Sequence, residues 1–161
     1  MGIDQDLFRA AMGQLASGIT VVTVHVDGED HGFTASSFTS LSLDPALVLV
    51  CVMKDTRSHT LIEQAGHYAV SILAGEQQVL GERFSDPLVV DRFEGLPLQR
   101  ATSGARIIPA GLAWVDCKLR EVFPGGDHSI FVGEVMGGFA SDRNDALVYH
   151  DRHWGRFVSA R

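Results

Sequence analysis

Two segments with a two-residue hydrophobic period, joined by a glycine-containing turn, constrain the fold of this chain most strongly. Residues 112–123 alternate apolar and polar side chains, and residues 128–139 follow after the turn sequence Pro124-Gly-Gly-Asp127. A period of two is typical of a β-strand with one buried face, and short turns join antiparallel neighbours. The sequence therefore predicts a long antiparallel hairpin. The apolar face of its first strand carries Ala113, Val115, Cys117 and Leu119.

Shorter β-like segments recur along the rest of the chain. Residues 47–53 are apolar without interruption, which predicts a strand that is buried on both faces. Residues 32–42 are rich in serine and threonine, which predicts a kinked strand. A turn is predicted at residues 27–30, and residues 150–157 are predicted to form a tail. The predicted strands, besides the hairpin, are residues 19–26, 32–42, 47–53, 68–73 and 146–149.

Three short helices are predicted: one at residues 4–15, a second that follows residues 55–58 and ends near residue 66, and a third at residues 76–84. The first has an apolar face and an aspartate, Asp4 or Asp6, that can cap its start. In the second, Thr60 and Glu63 have the spacing of a capping box, and Gly66 fits the position after the last helical residue. Residues 85–111 contain several prolines and glycines and are predicted to be mostly irregular. Six or more strands with short peripheral helices predict a mainly β, antiparallel barrel formed by a single domain, residues 1–161.

Composition excludes several classes of function. The chain has 161 residues and a net charge of −7, and an acidic surface is a poor partner for nucleic acid. Its longest apolar run has eight residues, whereas about 20 are needed to span a bilayer. The N-terminus lacks an apolar signal core, so we expect a cytoplasmic protein without a membrane partner. In that compartment Cys51 and Cys117 are expected to be buried free thiols rather than a disulfide.

Common nucleotide and catalytic motifs do not occur in the sequence. It contains no G-x-G-x-x-G, Walker A, G-x-S-x-G, C-x-x-C or H-E-x-x-H pattern. His150 and His153 have a spacing that can chelate a metal, but no third ligand lies within reach in the sequence, so no metal site is predicted. A bound nucleotide would therefore have to be held by a backbone segment that has none of these motifs.

The junction at residues 54–60 is a candidate phosphate site. It combines a helix start, where unpaired N–H groups favour an anion, with the cations Lys54 and Arg57. Hydroxyl donors are supplied by Thr56, Ser58 and Thr60. The alternative is an ordinary capped helix with two surface cations.

Two further segments are candidate ligand contacts. The small polar residues of 32–42 leave backbone groups accessible to a flat polar ring, or they form a solvated edge strand. His128 follows the hairpin turn, where an imidazole can donate a hydrogen bond to a ligand and titrates near neutrality. Its alternative role is that of a loop histidine beside Asp127, which would cap the turn.

Together these segments resemble the short-chain flavin reductases with the FMN-binding split-barrel fold, the reductase partners of two-component flavin-dependent monooxygenases. The resemblance implies a six-stranded Greek-key split barrel, a homodimer, and FMN or FAD bound near the dimer interface. The segments that carry it, in this order, are residues 18–23, 32–45, 57–60, 126–135 and 147–149.

The resemblance also implies roles for individual residues. The segment that would lie along the isoalloxazine ring consists of Thr34, Ala35, Ser36, Ser37 and Phe38. The residues that would hold the ribityl chain and phosphate are Cys51, Val52, Met53, Lys54, Ser58, His59 and Thr60. Arg83, Phe84 and Ser85 would close over the flavin. His128 would face the nicotinamide, with help from Tyr149 and Arg152.

The implied activity is hydride transfer from NADH or NADPH to FMN or FAD, followed by delivery of reduced flavin to an oxygenase. Two alternatives stay open from the sequence. One is a different split-barrel flavoenzyme of the pyridoxamine-phosphate oxidase type, and the other is a non-enzymatic flavin-binding or electron-carrying module. The preferred flavin and the preferred nicotinamide are also open.

Overall fold

Ten strands and three α-helices make up the computed structural model, which describes residues 2–159. A short 3-10 helix, Gly75–Gln77, lies directly before the third α-helix. In chain order the elements are α1 (Gln5–Gly13), β1 (Ser17–Gly18), β2 (Thr20–Val26), β3 (Glu29–Ala35), β4 (Thr39–Leu43), β5 (Ala46–Met53), α2 (Arg57–Ala65), β6 (His67–Ile72), α3 (Gln78–Ser85), β7 (Ala113–Gly125), β8 (His128–Ala140), β9 (Asp145–His150) and β10 (His153–Val158).

The strands form two antiparallel sheets. The larger sheet has seven strands in the order β3-β2-β6-β7-β8-β5-β4, and the smaller has the order β1-β9-β10. The chain crosses between distant strands, because β6 lies between β2 and β7 rather than beside β5. The predicted mainly β, antiparallel architecture with short peripheral helices is therefore confirmed.

The β7–β8 hairpin forms as the alternating pattern predicts. Its register runs from Ala113 opposite Ala140 to Gly125 opposite His128. The inward-facing residues join the main core, in which Tyr68 and Phe131 are fully buried. Other buried members of this core are Val22, Val24, Val50, Ile62 and Val70.

Four local predictions about the β-strands are wrong. Residues 32–42 do not form one kinked strand: β3 ends at Ala35, and β4 begins at Thr39. Strand β5 is not buried on both faces, since its burial alternates and Cys51 is only half-buried. The predicted tail is strand β10, whose residues pair with β9 from His153 to Val158. Glu29 and Asp30, expected in a turn, already belong to β3.

Helix α2 begins earlier than the capping-box pattern indicates. The cap is Thr56, whose hydroxyl oxygen accepts a hydrogen bond from the His59 N–H at 3.3 Å, so Thr60 lies within the helix. Gly66 ends the helix in the left-handed region, at φ 66°, as predicted. Cys51 and Cys117 are both free thiols, and only Cys117 is buried.

Helix α1 has no buried residue, although one of its faces is apolar. Asp4 caps it by accepting hydrogen bonds from the Asp6 and Leu7 N–H groups. The exposed apolar side chains of this face are Leu7, Phe8 and Met12, and the exposed Leu15 follows just after the helix. Within residues 2–159 no helix is long and apolar enough to cross a bilayer.

Candidate functional site

A cavity of about 850 Å³ opens beside the end of β3, where five parts of the chain converge. These parts are β3 with the break that follows it, the end of β5, the first turn of α2, the end of α3 with residues 85–93, and the start of β8. The residues that line this cavity include His31, Thr34, Ala35, Ser36, Ser37, Cys51, Val52, Met53, Thr56, Arg57, Ser58, Phe84, Ser85, Val89, Arg92, Phe93 and His128.

The break between β3 and β4 is held by side chains in place of sheet pairing. The Ser37 hydroxyl donates to the Cys51 carbonyl at 2.9 Å and accepts from the Cys51 N–H at 3.2 Å. The Ser37 hydroxyl thus makes the two hydrogen bonds to Cys51 that the backbone of a neighbouring strand would otherwise make. On the preceding residues, the Thr34 hydroxyl donates to the Gly81 carbonyl at 2.6 Å. Ser36 and Ser37, which belong to neither strand, bring main-chain groups to the cavity wall.

The first turn of α2 supplies polar groups on the second wall. Thr56 also donates to the Met53 carbonyl at 2.7 Å, which ties the helix start to the end of β5. Ser58 is 8% exposed, and its hydroxyl lies 2.8 Å from Nε2 of His31. Arg57 pairs with Glu29 at 2.8 Å. An anion at this wall would meet helix N–H groups, a hydroxyl and a guanidinium.

His31 is neutral in this environment. Burial is the largest influence, and the nearby guanidinium groups of Arg92 and Arg57 add to it; together they lower the pKa of His31 from 6.5 to about 4. The imidazole therefore offers one donor and one acceptor at neutral pH.

Two aromatic rings and an arginine close the third wall. Phe84 and Phe93 meet edge to face with ring centroids 5.0 Å apart. Gly32 permits this packing, because a Cβ there would lie 2.8 Å from the Phe84 ring. Arg92 donates to the Gly32 carbonyl and to the Asp86 carbonyl, each at 2.8 Å, and so fastens this wall to β3.

His128 stands at the rim, where β8 begins. Its register partner across the sheet is Met53, the last residue of β5. Nδ1 of His128 lies 2.7 Å from the Asp127 carboxylate. Lys54 holds the same turn: its ammonium donates to the Gly126 carbonyl at 2.6 Å.

The structure brings most of the predicted site residues together. From the ring-binding segment the cavity is lined by Thr34, Ala35, Ser36 and Ser37, and from the β5–α2 junction by Cys51, Val52, Met53 and Ser58. Phe84, Ser85 and His128 line it as well.

The other predicted residues lie outside the cavity, each for a local reason. Phe38 packs against the main core. His59 turns away and contacts Ser129 at 2.9 Å. Thr60 is an exposed residue inside α2. Lys54 is used by the hairpin turn, and Arg83 donates to the Glu94 carbonyl at 2.9 Å.

Tyr149 and Arg152 also lie outside the cavity of their own chain. The Tyr149 ring packs against Trp154 with centroids 5.1 Å apart, and Trp154 in turn covers Gly81 of α3. Arg152 is exposed in the turn between β9 and β10.

Sequence reasoning missed His31, Arg92 and Phe93. Arg92 and Phe93 fall in the segment that was predicted to be irregular, and no local pattern marks them. His31 precedes the serine-rich segment directly, and its adjacency to Gly32 was a usable signal.

One known protein family matches most of the chain. The family described as "Flavin reductase like domain" matches residues 12–157. The chain belongs to this family. As a flavin reductase-like protein, it is 42% identical over 156 residues to HsaB, the reductase subunit of a flavin-dependent monooxygenase of Rhodococcus jostii, covering 95% of this chain and 78% of HsaB.

Two further likenesses span almost the whole flavin reductase-like chain. Actinorhodin polyketide dimerase of Streptomyces coelicolor is 37% identical over 161 residues, with 99% of this chain and 90% of that protein covered. The NADH:FAD oxidoreductase SgcE6 of Streptomyces globisporus, solved in complex with NAD and FAD fragments, is 35% identical with a TM-score of 0.91, covering 96% and 93%. The predicted split-barrel fold is thereby confirmed.

The residues around the cavity of this flavin reductase-like chain fit a flavin. Its volume of about 850 Å³ lies within the usual range for small-molecule and cofactor sites. Free main-chain groups at the β3–β4 break suit the polar edge of a flat ring, and Phe84 and Val89 supply apolar surface. The α2 wall, with Ser58 and Arg57, suits a phosphate, and Arg92 of the third wall adds positive charge to the same cavity.

Proposed function

We propose that this chain is an NAD(P)H:flavin oxidoreductase that supplies reduced FMN or FAD to a partner monooxygenase. The observation that carries the proposal is the cavity, in which the β3–β4 break, the start of α2 and His128 converge. Family membership gives the chemistry, since HsaB and SgcE6 are named as a reductase subunit and an NADH:FAD oxidoreductase. These names favour a catalytic reductase over an electron-carrying module.

The flavin supplies the hydride-accepting ring, and a reduced nicotinamide is the hydride donor. The main chain from Thr34 to Ser37 orients the ring and offers N–H groups where negative charge would develop. Ser37 fixes this segment through its two hydrogen bonds to Cys51. Phe84 and Phe93 exclude water on the opposite side. Such preorganised contacts fix the approach of two reactants.

The wall formed by α2 holds the phosphate. Ser58 donates its hydroxyl, and Arg57 and Arg92 neutralise charge. Lys54 and Thr60, which the sequence placed here, take no part, because one holds the hairpin turn and the other faces solvent. The relatives named as a reductase subunit and an NADH:FAD oxidoreductase favour flavin reduction over an activity of the pyridoxamine-phosphate oxidase type.

His128 orients the nicotinamide from the rim. The Asp127 carboxylate accepts the Nδ1–H, which leaves Nε2 of the neutral ring as an acceptor. An acceptor at this position suits the amide N–H of a carboxamide. His128 is therefore proposed to set the approach of the donor ring, and no covalent nucleophile is needed.

The active species is proposed to be a homodimer of single-domain chains, located in the cytoplasm and without a nucleic-acid or membrane partner. The apolar face of α1 is uncovered within the described residues, and a second copy would cover it. Tyr149 and Arg152, which do not reach the cavity of their own chain, would contact a nicotinamide only across such an interface.

The proposal is tested by anaerobic oxidation of NADH and NADPH with FMN, FAD or riboflavin as acceptor. Flavin-dependent oxidation of at least one nicotinamide is expected. Protein without added flavin, and flavin without protein, are the controls. Absence of any protein-dependent flavin reduction in the folded protein would overturn the function.

A further inference from the structure

We propose that His31 is a positioning residue that holds the Ser58 hydroxyl as a hydrogen-bond donor toward the flavin phosphate, and so sets a preference for phosphorylated flavins over riboflavin. This inference rests on the proposed function, since it assumes that a flavin occupies the cavity.

His31 and Ser58 come from different elements and meet at the wall of the cavity. His31 belongs to β3, and Ser58 belongs to the first turn of α2. The distance from Nε2 to the Ser58 hydroxyl oxygen is 2.8 Å. Ser58 is 8% exposed and yet lines the cavity, so its hydroxyl has few directions available. The partner that fixes this direction is His31.

Two arrangements of protons satisfy this hydrogen bond. In one, Ser58 donates to Nε2, and only lone pairs of its oxygen remain for the cavity. In the other, Nε2–H donates to Ser58, and the hydroxyl proton is free for a ligand. A neutral imidazole allows either arrangement, because each of its tautomers has one N–H.

The charges around the pair select the second arrangement when an anion is present. Arg57 and Arg92 both line the cavity and attract an anionic group. A phosphate oxygen can only accept, so lone pairs of Ser58 would repel it, whereas the hydroxyl proton binds it. The hydrogen bonds then run in one direction, from His31 to Ser58 and from Ser58 to the phosphate. Because Nε2 of His31 carries a proton in this arrangement, the Ser58 hydroxyl cannot donate to His31 and donates to the phosphate instead.

The test compares the affinities of FMN and riboflavin, which differ only in the phosphate. The measured quantity is the ratio of the riboflavin Kd to the FMN Kd, obtained by fluorescence titration on one preparation of each variant. Because both ligands see the same folded fraction, a purely structural defect leaves this ratio unchanged. Thr102→Ala, which removes an exposed hydroxyl outside the cavity, is the matched control.

We expect Ser58→Ala to lower the ratio about tenfold, the loss of one hydrogen bond to a charged group at the low end. His31→Leu should lower it about threefold to fivefold. His31→Gln should keep it within about twofold, because its amide N–H can replace Nε2–H. The double variant His31→Leu/Ser58→Ala should lose no more than Ser58→Ala alone, since both act through one hydroxyl.

The other possible results show whether the role of His31, the phosphate position or the proposed function is wrong. If Ser58→Ala lowers the ratio but His31→Leu does not, the role of His31 is refuted and the phosphate position stands. If His31→Gln behaves like His31→Leu, the directed hydrogen bond is refuted. If Ser58→Ala has no effect while the wild type reduces flavin, the inference is overturned but the function is not. A wild type that binds both flavins but oxidises no nicotinamide overturns only the function.

Discussion

The Asp127 carboxylate lies 2.7 Å from Nδ1 of His128 at the rim of the cavity. The hydrogen bond to His128 lowers the pKa of Asp127, so the carboxylate is ionised at neutral pH and can only accept. Nδ1 must therefore carry the proton. When the imidazole of His128 is neutral, Nε2 is then left as the acceptor, which is one of the two roles that the sequence alone allows.

Replacing His128 by alanine should lower kcat/KM for NADH about 10- to 100-fold, because a misplacement of about 1 Å can cost on the order of 100-fold in rate. The Kd of FMN should stay within about twofold, since His128 is expected to contact the nicotinamide rather than the phosphate. Steady-state kinetics and FMN titration on one preparation measure both quantities.

The thermal midpoint of the same His128→Ala preparation separates catalysis from folding. A structural loop histidine would lower the midpoint and leave the turnover of the folded fraction near normal. Normal NADH kinetics in folded His128→Ala protein would remove this residue from the site.

Asp127→Asn should remove the carboxylate that keeps the proton of the neutral His128 ring on Nδ1. The amide can donate to Nδ1, which favours a proton on Nε2 and removes the acceptor there. We expect kcat/KM for NADH to fall about tenfold, the low end of the effect of a partner that orients a histidine. FMN affinity should not change. An unaltered kcat/KM would mean that the tautomer of His128 has no role.

Lys54 and Arg57 should separate in their effects, although the sequence treats them as equivalent phosphate cations. Lys54 donates to the Gly126 carbonyl, so Lys54→Met should loosen the turn that bears His128 and lower kcat/KM for NADH severalfold. Its FMN Kd should stay within about twofold. Arg57→Gln should instead raise the FMN Kd, because Arg57 lines the cavity. Weaker FMN binding by Lys54→Met, with normal NADH kinetics, would return Lys54 to the phosphate site.

The stability of the protein should fall on mild acidification because of His31. Its pKa is about 4 in the folded chain and 6.5 in its ordinary state, so the unfolded chain binds a proton that the folded chain refuses. This contribution to stability is complete above about pH 6.5 and is lost as the pH falls toward about 4. His31→Gln does not titrate, so its free energy of unfolding should decrease less over this interval. Urea unfolding at several pH values measures both proteins, and parallel curves would contradict the assignment.

Local patterns in the sequence were sufficient for the elements but not for their junctions. The alternation in β7 and β8 predicts their hairpin, and Gly66 predicts the end of α2, because each depends on neighbouring residues only. The predicted start of α2 is wrong, because Thr60 and Glu63 match a capping box while Thr56 offers the same hydroxyl one turn earlier. Only the packing of Thr56 on the end of β5 decides between them.

The candidate site depends on contacts that no local pattern contains. His31 and Ser58 are 27 residues apart in the chain, and Arg92 lies in a segment without regular structure. Lys54 was assigned to the phosphate because its charge is visible in the sequence, but its carbonyl partner across the sheet is not. The family resemblance supplied the cavity segments, and the tertiary contacts decide which side chains face the cavity.

The uncovered apolar face of α1 predicts a dimer. Leu7, Phe8, Met12 and Leu15 are each more than half exposed, and a continuous apolar patch of this kind is typical of an interface. We expect the wild type to sediment at twice 17.4 kDa and the double variant Leu7→Gln/Met12→Gln to sediment as a monomer with weaker flavin binding. Arg9→Gln, on the polar side of the same helix, should leave the dimer intact. Sedimentation and flavin affinity are measured for the wild type and for the double variant. If the wild type is a monomer and both proteins bind flavin equally well, α1 forms no interface between copies of this chain.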